Sequence, residues 1–348
     1  MYRKGLGIAA AAGVIALSLA GCSSGSPSPS SSAPQQDLKG QTIQVAGIWS
    51  GDEQKDFEQV LKLFEQQTGA TVQFTSDGDN LPTVLQTKIA GKNPPDVAML
   101  GQPGSIAQFA KEGALQPLPA DVQQAVAAHQ AQAWGRFSLV NGKPYGVYFD
   151  AADKSVVWYN TKAFDSVGAQ PPKTWQQFVT LSGQLADAGV TPMSIGAGDG
   201  WVLTDWFENI YLQTAGLANY NALGAHKIKW TDQSVTKALQ LLQQYFKQSR
   251  LIAGGQSGAL QTDFPTSVVN TFEAKSKAAM VYEGDFVATA IQSSTPAKVG
   301  TDAKIFAFPQ VGNTPAGVET GGDAAVAFND KKSTTELLKF LASPQAGA

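Results

Sequence analysis

The feature that most constrains the fold is an alternation of strand-like and helix-like segments that begins at residue 42. Residues 42–49 are rich in β-forming side chains, and residues 54–68 place apolar side chains at helical spacing before a glycine. A strand-like segment at 71–75, a helix-like segment at 82–90 and a short apolar strand at 97–100 follow. The order β-α-β-α-β predicts right-handed crossovers and a largely parallel sheet, so we assign the chain to the α/β class.

The loops that follow these strands carry polar and aromatic side chains. They span residues 49–52, 76–80 and 101–104 and contain acids, amides, glycines and one tryptophan. In open parallel sheets, the loops at the carboxyl ends of the strands converge on a crevice in which ligands bind. The sequence therefore predicts a ligand-binding edge built from these three loops.

The alternation restarts in the second half of the chain, which predicts a second lobe. Two β-rich runs, at 145–149 and 156–160, flank Asp150-Ala151-Ala152-Asp153, where we expect the chain to pass between lobes. A capping box at Thr174 and Gln177 predicts a helix that begins there. Further segments with helix or strand character lie at 193–195, 206–212, 234–248, 278–282, 286–292, 305–308 and 324–328.

The N-terminal residues resemble an export signal. Basic residues at positions 3 and 4 precede a short apolar run that ends at Leu19-Ala20-Gly21-Cys22, a pattern similar to the lipobox of bacterial lipoproteins. The run is shorter than the about 20 apolar residues that a membrane-spanning helix needs. The resemblance implies that residues 1–21 are cleaved off and that lipid on Cys22 holds the exported protein at the outer face of the cytoplasmic membrane. Residues 22–37, rich in serine and proline, are expected to form a disordered tether.

The composition argues against several classes of function. Cys22 is the sole cysteine, so disulfides, cysteine-rich zinc sites and a cysteine nucleophile are excluded. The formal net charge of -3 comes from evenly mixed signs, without a basic tract that would indicate nucleic-acid binding. His129 and His226 form no local metal-binding pair, and Asp77-Gly78-Asp79 lacks the later glycine and glutamate of a calcium loop. We therefore expect no metal and no cofactor.

Three tryptophans, Trp49, Trp201 and Trp206, lie on or beside loops at predicted strand ends. Tryptophan can cover the apolar face of a sugar ring, while carboxylates and amides hold the hydroxyl groups. Packing in the core is the alternative for each tryptophan, and the sequence leaves both open. Candidate hydroxyl-binding side chains in or next to the loops are Asp79, Asn80, Gln102, Asp150, Asp199, Asp205, Asp285 and Asp323.

A series of short segments, none of them diagnostic alone, occurs in a characteristic order. They are Phe57-x-x-Val60-x-x-Leu63-Phe64, Asn93-Pro94-Pro95-Asp96-Val97, Gly113-Ala114-Leu115-x-Pro117-Leu118, Tyr145-Gly146-Val147, Val157-Trp158-Tyr159-Asn160, Pro172-Lys173-Thr174-Trp175 and Phe340-Leu341-Ala342-Ser343-Pro344. Together they resemble the extracellular solute-binding proteins of bacterial ABC importers, in the cluster that includes maltose and oligosaccharide binders. The resemblance covers nearly the whole chain after the tether.

Asp199-Gly200-Trp201, Thr204-Asp205-Trp206 and Gly321-Gly322-Asp323 are most similar to the α-glucoside binders of that family. The resemblance implies a two-lobe, periplasmic-binding-protein-like fold of type II, with crossover strands as the hinge and the ligand in the cleft. It implies residues 38–149 and 309–348 in the first lobe and 150–308 in the second. The implied ligand-binding residues are Trp49, Asp79, Asn80, Gln102, Gly322 and Asp323 in the first lobe, Asp150 at the hinge, and Trp201, Trp206, Asp285 and Phe286 in the second lobe.

Two departures from the family pattern bear on the site. Relatives often carry tryptophan after the glycine of the segment that reads Glu283-Gly284-Asp285-Phe286 here, so the stacking surface and the sugar are expected to differ. The chain also ends at Ala348, in or just after the last helix of the first lobe, whereas relatives cross back and add helices to the second. The C-terminal part of the second lobe is therefore expected to be missing from this chain.

The resemblance implies a lipid-anchored receptor, not an enzyme, that captures a sugar or oligosaccharide by lobe closure, most similar to an α-glucoside binder. As a monomer it would deliver the sugar to the permease subunits and ATPase of an ABC importer. A lipid-anchored glycoside hydrolase is the alternative from another class of protein. Such an enzyme needs two carboxyl groups about 5 to 9 Å apart, and the acids of the crevice could supply them. A carbohydrate sensor or adhesin, which would bind sugar without serving a permease, is a third hypothesis.

Overall fold

The computed structural model describes residues 37–313 and 317–347. The predicted export signal, the lipobox with Cys22 and nearly all of the tether lie outside the described residues. Within the described part of the chain, no helix combines the length and the apolar character that crossing a membrane requires.

The described residues form two main sheets surrounded by helices. The strands are β1 (Thr42–Gly47), β2 (Thr71–Ser76), β3 (Val97–Leu100), β4 (Leu139–Val140), β5 (Lys143–Pro144), β6 (Gly146–Tyr148), β7 (Ala152–Asp153), β8 (Val156–Asn160), β9 (Met193–Ser194), β10 (Met280–Glu283), β11 (Ala303–Ala307), β12 (Thr320–Gly321) and β13 (Ala324–Ala327). The helices are α1 (Gly51–Thr68), α2 (Leu81–Ala90), α3 (Pro103–Lys111), α4 (Ala120–His129), α5 (Gln132–Gly135), α6 (Thr161–Ser166), α7 (Trp175–Asp187), α8 (Trp201–Gly224), α9 (Gln233–Phe246), α10 (Gly255–Ala259), α11 (Phe264–Phe272), α12 (Val287–Ser294) and α13 (Lys332–Leu341).

The first sheet has five strands in the order β2-β1-β3-β13-β6. β1 is parallel to β2 and β3, which confirms the predicted parallel arrangement, and β13 is antiparallel to β3 and β6. α1 packs Phe57, Leu61 and Phe64 against this sheet, because these apolar side chains recur at helical spacing. α4 and α13 cover the same face, whereas α2 and α3 cover the opposite face.

The second sheet has four strands in the order β11-β8-β10-β9. β9 is parallel to β10, while β8 is antiparallel to both of its neighbours, so this sheet is mixed. α7, α8 and α9 pack on one face and α11 and α12 on the other. Residues Thr174 and Gln177 form the predicted capping box at the start of α7.

Two segments that connect the sheets pair with each other. β7 is antiparallel to β12, with Ala152 opposite Gly321 and Asp153 opposite Thr320. Phe308 and Val311 still pack in the core of the second sheet, although the sequence analysis assigned residues after 308 to the first lobe. We therefore propose that the return crossing lies at residues 319–321.

α8 is longer than the segment predicted at 206–212, and it brings Trp201 to its first turn. Gly216 interrupts it with φ 79 and ψ 163. This backbone conformation is accessible to glycine because it has no Cβ to clash with the carbonyl oxygen. The sequence pattern missed the first turn of α8 because Gly200 and Trp201 read as loop residues.

Asp96 connects three parts of the first lobe. Its Oδ2 accepts a hydrogen bond from Gln44 N at 2.7 Å, and its Oδ1 accepts from Asn329 Nδ2 and Lys331 Nζ, both at 2.8 Å. Burial opposes the charged form, but these hydrogen bonds and the Lys331 charge lower the pKa of Asp96 below 3.8. The ionised carboxylate therefore ties β1 and β3 to the segment before α13.

We expect Asp96→Asn to lower the free energy of unfolding by about 1 to 3 kcal/mol at neutral pH, because the charge-assisted hydrogen bonds are lost. Since the folded-state pKa lies below the unfolded value, this stabilisation is present above pH 3.8 and is lost as the pH falls through the folded-state value. The variant and the wild type should therefore converge in acid. Urea unfolding at neutral and acidic pH measures this, and an equal difference at both would contradict the role of the charge.

Candidate functional site between the two lobes

Loops from both lobes meet where the two sheets face each other. Asp79 and Asn80 follow β2, and Gln102 follows β3, on the first-lobe side. Asp285 follows β10 on the second-lobe side, where its backbone N donates to Asp153 O at 3.0 Å. The four side chains are exposed, so they are available to a solute.

One hydrogen bond joins the two sides directly. Trp201 Nε1 donates to Asp79 Oδ1 at 3.1 Å. The Trp201 ring centre lies 5.2 Å from that of Phe264 and 6.1 Å from that of Phe286, and we call these three rings the aromatic platform. Lys154 Nζ lies 5.4 Å from the centre of the Trp201 ring. Trp201 and Phe286 were named as separate candidates from the sequence. In the structure their rings are neighbours, and both residues are half-buried.

The lobes also approach each other near the start of α1. A Cβ built on Gly51 would lie 3.7 Å from Ser293 Oγ in α12. This contact and the Trp201–Asp79 hydrogen bond both link a first-lobe segment to a second-lobe segment. The structure therefore has the two lobes in contact across the cleft.

Asp79 lies among other acids at this contact. Partial burial, followed by the charge of Asp199, raises the pKa of Asp79 to about 6, while the hydrogen bond from Trp201 acts in the opposite direction. Asp199 Oδ2 accepts a hydrogen bond from Phe264 N at 2.6 Å, which holds this second acid beside the aromatic platform. Asp79 is therefore an ionised acceptor at neutral pH and becomes protonated below about pH 6.

A second group of acids lies beside the crossing segments. Asp323 N donates a hydrogen bond to Asp150 Oδ1. The Asp323 side chain is buried, and its Oδ1 accepts no hydrogen bond from the described residues. Burial, followed by the charges of Asp150 and Glu53, raises the pKa of Asp323 well above its ordinary value. Burial and the Asp150 charge likewise raise the pKa of Glu53 to about 7.

Glu53 was not among the site residues predicted from the sequence, although Asp150 and Asp323 were. Glu53 lies in the first turn of α1, directly after the predicted ligand-binding loop at 49–52. That position was the available signal, because the start of a helix after a parallel strand faces the same edge of the sheet.

Gly322 permits the close approach of the two crossings. A Cβ on Gly322 would lie 2.3 Å from Asp150 O and 3.3 Å from the Cα of Ala151. Side chains cannot approach backbone atoms this closely, so any other residue would push the crossings apart. Gly322 is therefore needed for backbone packing beside the site.

Lys154 lies between the aromatic platform and a set of buried carboxylates. Its Nζ donates to Asp205 Oδ2 at 2.9 Å. Burial opposes the charged form, but the charges of Asp205, Glu319 and Glu283 raise the pKa of Lys154 above its ordinary value. No local sequence pattern indicates Lys154, Glu283 and Glu319, because residues so distant in sequence meet only once the crossings are formed.

The prediction that Trp206 contacts a ligand is wrong. Its side chain is 1% exposed, and its ring centre lies 4.6 Å from that of Tyr282 in the second core. α8 begins at Trp201, and at about 100° per residue Trp206 lies about 140° further around the helix. Trp206 therefore faces the sheet when Trp201 faces the cleft.

The prediction that Trp49 offers a stacking surface is also wrong. Trp49 is 4% exposed and packs edge to face against Phe57, with ring centres 4.7 Å apart, and against Phe149 at 6.0 Å. Trp49 therefore packs in the core of the first lobe.

Two open grooves lie elsewhere on the second lobe. One, of about 1090 Å³, is lined by residues 166–173 and the exposed face of α7, and the other, of about 760 Å³, lies near Lys162 and Lys277. None of the predicted ligand-binding residues lines either groove. The arrangement of acids and aromatic rings therefore identifies the space between the lobes as the candidate site.

Two α/β lobes, joined by paired crossings and facing each other with acids, amides and aromatic rings, define a two-lobe solute receptor. The model of the bacterial extracellular solute-binding protein family matches residues 49–348. The chain belongs to this family, as the sequence motifs predicted.

Known proteins resemble the chain over most of its length. The osmoprotective compounds-binding protein GgtB of Synechocystis sp. is 34% identical over 312 residues, covering 86% of this chain and 72% of the relative. The alpha-glucosides-binding periplasmic protein AglE of Rhizobium meliloti is 31% identical over 327 residues, covering 89% and 70%. The solved structure of the solute receptor AcbH has a TM-score of 0.72 at 21% identity, covering 88% of this chain and 77% of AcbH. The predicted two-lobe fold of type II is thus confirmed.

We expect Trp206→Ala to lower the free energy of unfolding by about 3 to 5 kcal/mol, because it leaves a large cavity in the second core. Trp230→Ala is the matched control, since Trp230 is 59% exposed and its loss should cost less than about 1 kcal/mol. Chemical denaturation measures both. Equal losses in the two variants would contradict the placement of Trp206 in the core.

We expect Glu53→Gln to remove part of the pH dependence of stability. Because the pKa of Glu53 rises from 4.5 to about 7 on folding, the wild type loses stability as the pH rises between these values. The glutamine variant lacks this loss. The difference in free energy of unfolding between the variant and the wild type should therefore shift in favour of the variant from about pH 4.5 to about pH 7 and then level off. Unfolding curves of the ligand-free proteins across this range measure the difference, and a constant difference would contradict the prediction.

Proposed function

We propose that this protein binds a sugar or oligosaccharide, specifically an α-glucoside, between its lobes and delivers it to an ABC importer. The observation that carries the proposal is the Trp201–Asp79 hydrogen bond, which sets an aromatic face of one lobe beside a carboxylate of the other. The α-glucosides-binding protein AglE, similar over 89% of the chain, supports this choice of substrate. GgtB is named for osmoprotective compounds, and AcbH is described as having an exclusive substrate preference for β-D-galactopyranose. Both relatives support a small polar solute.

The aromatic platform would take the apolar face of the sugar. Trp201 and Phe286 are half-buried, so each can cover C–H groups while its inner side stays packed. In this proposal Phe286 stands where relatives often have tryptophan, and the smaller ring leaves room for a differently shaped sugar. Lys154 beside Trp201 adds a hydrogen-bond donor at the edge of the platform.

Carboxylates and amides from both lobes would hold the hydroxyl groups. Asp79, Asn80 and Gln102 reach the cleft from the first lobe, and Asp150 and Asp285 from the crossing and the second lobe. An ionised carboxylate accepts hydrogen bonds from hydroxyl groups more strongly than a neutral acceptor does. A solute that contacts both lobes favours the closed state, because its contacts form only when the lobes meet.

The proposal includes export and anchoring through lipid on Cys22, which is supported by the lipobox-like sequence before it. The receptor would then act as a monomer at the outer face of the cytoplasmic membrane. Its partners would be the permease subunits of the importer and their ATPase, and sugar binding would need no cofactor. The closed form would dock on the permease, because closure is the change that signals bound solute.

Calorimetric titration with a panel of glucosides, galactosides and pentosides tests this function. We expect heat of binding with α-glucosides, and no monosaccharide release when the protein is incubated with maltotriose. Sugar release would instead favour the hydrolase alternative. Binding of a peptide or polyamine, with no response to any carbohydrate, would overturn the substrate class, and failure of uptake with the reconstituted matching permease would favour the sensor or adhesin.

We expect Trp201→Ala to weaken sugar binding by about 1 to 3 kcal/mol, because the platform loses its central ring and the hydrogen bond to Asp79. Trp230→Ala, at an exposed position away from the platform, is the control and should leave affinity unchanged. Titration calorimetry with the best sugar of the panel measures both. Unchanged affinity in Trp201→Ala would contradict the proposed site.

A further inference from the structure

Four carboxyl groups are enclosed where the return crossing meets α8. They belong to Asp205 and Glu208 on α8, Glu283 at the end of β10 and Glu319 just before β12. Asp205, Glu283 and Glu319 are 2%, 0% and 6% exposed, and Glu208 is half-buried. Lys154 supplies one positive charge through its 2.9 Å hydrogen bond to Asp205 Oδ2. One lysine cannot neutralise four carboxylates.

The spacing of three of these groups fits one metal ion. Single oxygen atoms of Asp205, Glu208 and Glu319 all lie within 4.8 Å of one another. Calcium binds oxygen at about 2.3 to 2.6 Å, so two oxygens on one ion are separated by at most about 5 Å. Carboxylates are the hard oxygen ligands that calcium prefers.

Some buried oxygens at this cluster have no hydrogen-bond partner among the described residues, which is a second observation that favours a bound ion. Neither carboxylate oxygen of Glu283 accepts a hydrogen bond from the described residues. The same holds for Oε2 of Glu319. Tyr220 OH donates to Glu208 Oε2 at 3.0 Å, so one oxygen of the cluster is satisfied. Buried carboxylates without a hydrogen bond or counter-charge are strongly unfavourable, and Glu319, one of the three clustered carboxyl groups, carries such a buried oxygen.

We propose that Asp205, Glu208 and Glu319 bind a calcium ion, with Glu283 as a neighbouring carboxylate. Calcium accepts irregular geometry, whereas magnesium demands a near-ideal octahedron and suits this asymmetric cluster less well. The ion joins the segment before β12 to the helix that begins with Trp201, and so stabilises the return crossing. The proposal departs from the sequence-based expectation of no metal, because Glu319 is far in sequence from the two α8 residues and no local pattern joins them.

Thermal unfolding of the chelator-treated protein, with calcium chloride or with EDTA, tests the proposal. We expect calcium at a hundredfold excess over its dissociation constant to raise Tm by about 5 °C. Glu208→Gln, at the half-buried ligand, should abolish the rise, while Glu58→Gln should retain it, because Glu58 is exposed and accepts from Gln54. Equal Tm values in calcium and EDTA would overturn the site, as would a full rise in Tm for Glu208→Gln. A rise in Tm with magnesium but not with calcium would also overturn it.

Terbium luminescence gives an independent measurement on the wild-type protein, so the test survives if a variant fails to fold. Tyr220 is hydrogen-bonded to Glu208 and should sensitise terbium bound at the cluster. We expect emission that saturates at one ion per chain and is displaced by calcium. Absence of sensitised emission, or emission that calcium does not displace, would overturn the proposal whether or not the protein binds sugar.

Discussion

The cleft depends on the close approach of two crossing segments, and that approach depends on a missing side chain. At Gly322, a Cβ would come within 2.3 Å of Asp150 O. Without one, Asp323 N reaches the Asp150 carboxylate and β12 pairs with β7. The distance between the first-lobe loops and the aromatic platform follows from this packing, because both lobes are built outward from the paired crossings. A substitution at one glycine therefore alters the geometry of a site that its own side chain never touches.

Acids concentrate on both sides of these crossings, and the protein stabilises them in different ways. Glu53, Asp150 and Asp323 hold raised pKa values beside the crossings. On the other side, Lys154 pairs with Asp205. Burial is the largest cause of the raised carboxyl pKa values in both groups. Such perturbed groups cluster at functional sites, since charged groups without a role are rarely retained in a low-dielectric interior.

The sequence predicted the first sheet well because periodicity and parallel topology are local properties. Asp79, Trp201 and Phe286, named separately from the sequence, lie close together, and their contact with a ligand stays a prediction. The sequence could not separate Trp201 from Trp206, because the distinction depends on where α8 begins. Glu319 and Lys154 could not be predicted as neighbours for a different reason. They come together through the pairing of β7 with β12, which no local sequence pattern encodes. The return crossing that we propose at 319–321 likewise depends on this pairing.

The contact between Trp201 and Asp79 also bears on how long a solute would be retained. A hydrogen bond to a charged group contributes about 1.5 to 3 kcal/mol, and this one joins the two lobes. In the proposed function it would form on closure, together with the contacts to the solute. Breaking it would then be part of the barrier to release, so it would lower the rate of dissociation. One indole nitrogen would thus lengthen the time that the receptor holds its solute.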